Sequence, residues 1–284
     1  MDPTSWIGRS ETATETISPE PLRRWAATLG FGPETVADGT ALPPVAHWGY
    51  FRPAIPADGL MADGHSEING LLPSDLEHPR RMWAGGTLTF HEPLRVGDAA
   101  RRISVVEDVV HKTGRSGSLL FITVHHRIER DDGTLLIDER QDMVRRAPPR
   151  PDEVKPDPTQ SPTDPTWSKP YSADALKLFR YSAVTFNGHR IHYDRDYSRD
   201  VEHYPSLVVH GPMLATLLMA LAEEKSGEAL ATFAYRALSP TFEDEVFTLN
   251  GSPTTNGAGH GAEMFVAGSD GRLAMRGEAT FSPA

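Results

Sequence analysis

Alternating apolar and polar positions dominate two stretches of this chain. In SLLFITVHHRIERDDGTLLIDERQDMV (Ser118–Val144) two alternating runs flank Asp132-Gly133, and in AEMFVAGSDGRLAMRGEATF (Ala262–Phe281) the same arrangement flanks Asp270-Gly271. Period-two alternation marks half-buried strands, and Asp-Gly accepts the positive φ of a tight turn, so both stretches read as β-hairpins. Upstream of each, TLTFHEPLRVGDAARRISVVEDVV (Thr87–Val110) and ATFAYRALSPTFEDEVFTLNG (Ala231–Gly251) are again strand, polar turn, strand. GRSGS (Gly114–Ser118) reads as a further hairpin turn. Each half of the chain therefore closes with about four antiparallel strands, and the likeness predicts a duplicated unit.

Helical signals precede the strands. SPEPLRRWAATLG (Ser18–Gly30) offers Ser18 as N-cap, Pro19 and Glu20 in the first turn and Gly30 as a stop. SADALKLFRYSA (Ser172–Ala183) starts on Ser172, with Leu176, Phe179 and Ala183 along one face. HGPMLATLLMALAEEKSG (His210–Gly227) opens at Gly-Pro and closes with Lys225 and Gly227; its middle is apolar nearly all round and demands burial on most sides. An antiparallel sheet wrapped around such a helix supplies that burial. The fold class is α+β, twice over.

Between the halves lies APPRPDEVKPDPTQSPTDP (Ala147–Pro165), with seven prolines and no apolar period. Proline fixes φ and lacks an N–H, so an extended linker is expected, dividing the chain into residues 1–146, 147–165 and 166–284. Hydrophobic residues at 38% and charged residues at 24% describe a globular protein, and the longest apolar run, Met213–Ala222, is too short to span a bilayer. A net charge of -11 speaks against nucleic-acid or anionic-membrane partners. Arginine pairs at Arg80–Arg81, Arg101–Arg102 and Arg145–Arg146 can still form a local basic pocket, although solvated strand ends are the simpler reading of each. Cysteine is absent, which removes disulfides and thiol chemistry, and MDPTSWIGRSE lacks the features of a signal peptide; a cytoplasmic location is the expectation.

Four of the twelve histidines, His189, His192, His203 and His210, fall within one short region. In FNGHRIHYDRDYS (Phe186–Ser198), Asn187 precedes His192 by five residues, a step that turns about 500° on a regular helix. The two side chains converge only across a bend, which Gly188 permits. SLVVHGPM (Ser206–Met213) then leads into the apolar helix, whose free N–H groups and positive dipole end favour developing negative charge. Gly211 there lets a ligand approach the backbone. His189, His192, Asp194, His203 and His210 are suitable metal ligands by type, but their spacing is irregular and no His-Glu-x-x-His occurs, so no metal is expected. Neither a Gly-x-Ser-x-Gly nucleophile motif nor Walker spacing is found.

NGHRIH (Asn187–His192) and VVHGPM (Val208–Met213) resemble the two signature elements of the MaoC-like hydratase family: Asp-x-Asn-Pro-x-His, then a His-Gly that opens the next helix. FNGHRIHYD, HWGYFRP (His47–Pro53) and RMWAGGTLTFHEPLRVGD (Arg81–Asp98) are similar to a subgroup with a degenerate N-terminal and a catalytic C-terminal hotdog. Mitochondrial type 2 3-hydroxyacyl-thioester dehydratases and bacterial mesaconyl-C4-CoA hydratases belong to it. The resemblance implies a double hotdog, two antiparallel sheets each wrapped around a central helix. It also implies a hydro-lyase that reversibly hydrates a 2-enoyl thioester, on a short or branched acyl-CoA such as mesaconyl-C4-CoA. A fatty 3-hydroxyacyl-ACP or -CoA is the alternative substrate; a hotdog thioesterase or a non-catalytic acyl-thioester-binding protein are the alternative functions. No cofactor is implied, and the two halves form a complete pair alone, to which a homodimer can be added.

By the same resemblance, His192 is the general base that activates water, Asn187 holds that water, and the Gly211 N–H receives the thioester oxygen. His189, His210 and Arg236 are weaker candidates for substrate contact, and Trp48, Tyr50, Phe51 and Trp83 are candidate pocket walls. One departure stands out: Asn187 replaces the signature aspartate, and His189-Arg190 replaces Asn-Pro. An amide does not exchange protons as a carboxylate does, so a two-residue Asp/His mechanism does not carry over unchanged.

Overall fold

Both Asp-Gly turns form, with Gly133 at φ +90° and Gly271 at φ +81°. The computed structural model describes residues 2–66, 71–72, 77–114, 117–147, 157–256 and 259–282; part of the proline-rich stretch, 148–156, and the tip of GRSGS, 115–116, lie outside them. In the first half, β1 (Ser10–Thr16) and α1 (Pro19–Leu29) precede β2 (Arg80–Phe90), β3 (Ala99–Gly114), β4 (Gly117–Arg130) and β5 (Leu135–Arg146). The second half repeats the plan: β6 (Trp167–Tyr171), α2 (Ala175–Val184), α3 (Gly211–Ser226), then β7 (Leu230–Ala237), β8 (Phe247–Asn256), β9 (Gly259–Ala267) and β10 (Leu273–Phe281).

The two sets of strands join edge to edge in one antiparallel ten-stranded sheet, ordered β1-β3-β4-β5-β2-β7-β10-β9-β8-β6. Read inward from either edge, the order within each half is the same. The halves meet where Gly85–Thr89 of β2 pairs with Thr232–Arg236 of β7. Glycine is required at this seam: a Cβ on Gly86 would fall 2.5 Å from the Tyr235 hydroxyl. A register shift between Trp83 and Gly85 marks a bulge, which re-aims the strand at Trp83.

In the second half the sheet curls over α3, where Met213, Leu214, Leu217, Leu218, Met219 and Leu221 are all buried. Each such side chain contributes roughly 1.5–3 kcal/mol of burial free energy, which an all-round apolar helix collects only inside a sheet. Gly227 caps α3 in the left-handed conformation at φ +73°. The first half has no counterpart of α3 among the described residues; between α1 and β2 run irregular chain and short 3-10 turns, including Ala46–Gly49. That turn is tied to the sheet by Glu139 of β5, which accepts hydrogen bonds from Trp48 Nε1 at 2.9 Å and Gln141 Nε2 at 2.6 Å and pairs with His47 Nε2 at 2.8 Å. These contacts explain why HWGY is strongly patterned in an otherwise irregular stretch.

Two details of α2 differ from the sequence expectation. Asp174, not Ser172, caps it, its carboxylate accepting the Lys177 N–H at 2.8 Å. The buried face carries Leu178, Tyr181 and Ser182, while Leu176 and Phe179 are exposed, because α2 packs on α1 through the opposite side.

Candidate active site

The C-terminus of α2 sets the first half of the site. Phe186 adopts the left-handed region at φ +51°, and its N–H bonds Ala183 O while the Asn187 N–H returns to Ser182 O at 2.8 Å. This is a Schellman closure with phenylalanine at the position glycine usually fills, a conformation that costs a non-glycine residue about 1–2 kcal/mol. The chain thereby turns sharply into Asn187. The Asn187 Oδ1 then accepts the His189 N–H at 3.0 Å. That bond fixes the amide orientation: the carbonyl oxygen is engaged in the turn, and Nδ2 is left as a donor.

A 3-10 turn, Arg190–His192, follows. Arg190 clasps Asp194 through Nε at 3.0 Å and Nη2 at 2.7 Å, and stacks over the buried Tyr197 ring at 4.2 Å. His192 is 7% exposed, and its Nδ1 lies 2.7 Å from Val208 O. A carbonyl only accepts, so Nδ1 carries the proton and Nε2 keeps a lone pair with no partner among the described residues. His192 stacks on His210 at 3.6 Å between centroids, 18° from parallel. His210 is the N-cap residue of α3, and its Nε2 lies 2.9 Å from Ser182 Oγ. The first hydrogen bond within α3 runs from Leu214 N to His210 O, which leaves the Gly211 N–H without a backbone acceptor among the described residues. A Cβ on Gly211 would fall 2.8 Å from the Trp83 ring, so only glycine admits this approach of first-half indole to second-half helix.

A cavity of about 590 Å³ opens beside these groups, lined by Ser182, Asn187, Gly188 and Pro212 from the second half and by Trp48, Arg52, His65, Arg81 and Trp83 from the first. His192 and His210 are not part of this lining; they are 7% and 0% exposed, and His210 meets the lining residue Ser182. Tyr50 and Phe51 line a separate cavity, which shares Arg52 with the first. Arg236 is exposed on β7 and outside the lining of either, and His203 is exposed as well. Of the sequence candidates, the fold brings together Asn187, His189, His192, His210 and Gly211.

Of three further lining residues, the sequence offered Arg81 as half of a basic pair, while Arg52 and His65 carried no signal of their own. Arg52 rests its guanidinium on Trp48 O, with Nε at 2.6 Å. Arg81 donates to Ser66 O at 3.2 Å. Neither has a carboxylate partner within 4 Å among the described residues. Burial, followed by the nearby Arg102 charge, pulls Arg52 down to about 10, and burial lowers Arg81 as well. The third is His65, whose ring lies 4.2 Å from that of His189, which in turn meets His192 edge-on at 5.5 Å. The five residues that are metal ligands by type, His189, His192, Asp194, His203 and His210, do not form a cluster among the described residues. Among the described residues, the ligand atoms of Asp63, His65 and His189 are the ones that lie within 4.8 Å of one another.

Desolvation, reinforced by repulsion from neighbouring histidines, depresses three second-half histidines: His192 to about 4, His189 to about 2, and His210 well below its usual value. They are neutral at pH 7. Below the unfolded-state value near 6.5 the unfolded chain binds more protons than the native one, so stability falls as pH drops from about 6.5 toward 4. The thermal midpoint is expected to fall by at least about 5 °C between pH 7 and pH 5. A flat profile in scanning calorimetry would contradict the neutral, buried assignment.

Comparison with solved structures agrees with this architecture. A MaoC-like dehydratase superposes with a TM-score of 0.74 at 14% identity, covering 98% of this chain and 99% of that one. A Mycobacterium tuberculosis protein described as a double hotdog superposes with a TM-score of 0.56 at 14% identity, over 97% and 96% of the two chains. The fold is a double hotdog. Residues 45–243 match the hydroxyacyl-thioester dehydratase type 2 family, and the chain belongs to it. It is 39% identical over 271 residues to mesaconyl-C(4)-CoA hydratase of Chloroflexus aurantiacus, spanning 95% of each chain.

Proposed function

We propose that this protein adds water reversibly to a 2-enoyl-CoA, with His192 Nε2 as general base, and eliminates it from the 3-hydroxyacyl-CoA in reverse. One observation carries the reading: the Val208 carbonyl fixes the His192 tautomer, so that, among the described residues, a lone pair without a partner stands beside a helix start whose Gly211 N–H is unbonded. As His192 takes the proton of water, oxygen attacks the β-carbon and negative charge gathers on the thioester oxygen. The Gly211 N–H and the α3 dipole stabilise that charge. Asn187 Nδ2 donates a hydrogen bond to the water or hydroxyl oxygen and holds it in place. The reaction needs no metal or cofactor and no second chain at the site. Among the described residues no helix is long and apolar enough to cross a membrane, and a cytoplasmic setting is part of the proposal.

A short acyl group ending in a free carboxylate is the proposed substrate type, as in mesaconyl-C4-CoA, the compound named for the 39% identical relative. Arg52 and Arg81 support it, being two cavity-facing cations without a carboxylate within 4 Å among the described residues. A fatty tail would leave both desolvated and unpaired, which is costly. Decay of enoyl-thioester absorbance without release of free CoA is the test, since a thioesterase releases CoA. Arg52→Gln and Arg81→Gln are each expected to raise KM for mesaconyl-C4-CoA by about 10-fold or more. Crotonyl-CoA, which lacks the carboxylate, should be unaffected. Equal losses on both substrates would assign the arginines to the CoA phosphates instead.

A further inference from the structure

The arrangement of Asp63, His65 and Asn187 bears on the proton that the missing aspartate would have moved. We propose that His65, oriented by Asp63, is the second acid–base group of this site and does the work of a carboxylate at position 187. The inference rests on the hydratase reading above.

The Asp63 carboxylate uses both oxygens on one residue. Its Oδ1 accepts the His65 backbone N–H at 2.9 Å, and its Oδ2 lies 2.9 Å from His65 Nδ1. An ionised carboxylate only accepts, and burial notwithstanding, its contacts with His65 hold Asp63 down at about 2. His65 Nδ1 therefore carries a proton and the ring is locked, with Nε2 available. His65 lines the same cavity as Asn187, Ser182 and Pro212, and its side chain is 25% exposed. His192, by contrast, is only 7% exposed.

The loop carrying this pair is fastened to the catalytic turn. Arg190 donates its backbone N–H to Asp63 O at 2.9 Å and its Nη1 to Ala62 O at 3.0 Å. Gly64 and Gly188 touch backbone to backbone, and a Cβ on Gly188 would fall 2.5 Å from Gly64 O. Such closeness holds His65 in register with residues 187–192.

Hydration needs two proton movements, one off water and one onto the α-carbon. An amide at position 187 performs neither. The water oxygen bonds to the β-carbon as His192 Nε2 takes its proton. The alkene electron pair moves to the α-carbon, which takes a proton from His65 Nε2 in the imidazolium form. The proton on His192 then returns to His65 through water in the cavity, and both groups are restored.

The test uses the full-length protein with crotonyl-CoA. His65→Gln is expected to lower kcat by roughly 10²-fold with KM nearly unchanged, and Asp63→Asn should lower it by a smaller factor in the same direction. Added imidazole should restore part of the His65→Gln rate, which it would not do for a residue that only props the loop. A second variant exploits the turn at Asn187. Aspartate keeps the oxygen that accepts the His189 N–H and replaces the Nδ2 donor with a second oxygen. His65→Gln/Asn187→Asp should therefore recover activity over His65→Gln alone. A His65→Gln enzyme within 2-fold of the parent overturns the proposal. So does a loss that neither imidazole nor Asn187→Asp relieves, or stoichiometric zinc in the purified protein whose chelation abolishes turnover. A parent protein inert toward every enoyl-CoA would instead defeat the hydratase reading itself.

Discussion

His192→Ala is expected to lower kcat by roughly 10²–10⁴-fold with KM within a few-fold, the range for loss of a general base. The fold should survive. The substitution leaves the Val208 carbonyl without its donor, a cost of about 1–3 kcal/mol for a buried acceptor, against a core built on two half-sheets and α3. His192→Asn separates the two effects, because the asparagine amide can donate to Val208 O in place of Nδ1 while offering no base. Recovered stability with activity still absent is the expected result. A His192→Ala enzyme with near-parental kcat would remove this histidine from the chemistry.

The largest expected effect on stability lies in the first half. Glu139 is 1% exposed and bonded to His47, Trp48 and Gln141. Burial alone would raise its pKa, but the hydrogen bond and charge of His47 outweigh that, with help from His126 and Gln141, and bring it to about 2. The carboxylate is ionised, and its contribution is present above pH 4.5 and lost only as pH falls through about 2. Glu139→Ala strands three partners in the interior and is expected to cost about 3–5 kcal/mol, lowering the thermal midpoint by on the order of 10 °C. Because Trp48 lines the cavity, substrate KM should rise with it. A midpoint within about 2 °C of the parent would show that this network is not what fixes the Ala46–Gly49 turn.

Most of the architecture was legible because it is local. Period-two alternation and two Asp-Gly turns give the hairpins, and an all-round apolar run gives α3, since each signal reports burial within a few residues. The α2 face was misread for the complementary reason: Leu176 and Phe179 are apolar, but which side of a short helix is covered depends on α1, a partner distant in sequence. Asn187, His192 and Gly211 were legible as a motif. The tautomer of His192 was not, because it depends on Val208 O. Nor were His65 and Arg52, which reach the cavity from irregular chain of the other half, where no periodicity or motif marks them, while Arg81 was legible only as half of a basic pair. Single polar residues in loops become meaningful only once the two halves are joined.

That the described residues of the first half hold no counterpart of α3 has a lasting consequence. Duplication first yields two equal copies, and a copy relieved of its own buried helix can spend that length of chain on its sibling. Here the released segment supplies indole, guanidinium and imidazole groups to a neighbour's chemistry, so the two copies now answer to different selective pressures. Relatives that transform different acyl groups should therefore diverge fastest between α1 and β2, while the turn that bears Asn187 and His192 stays nearly still.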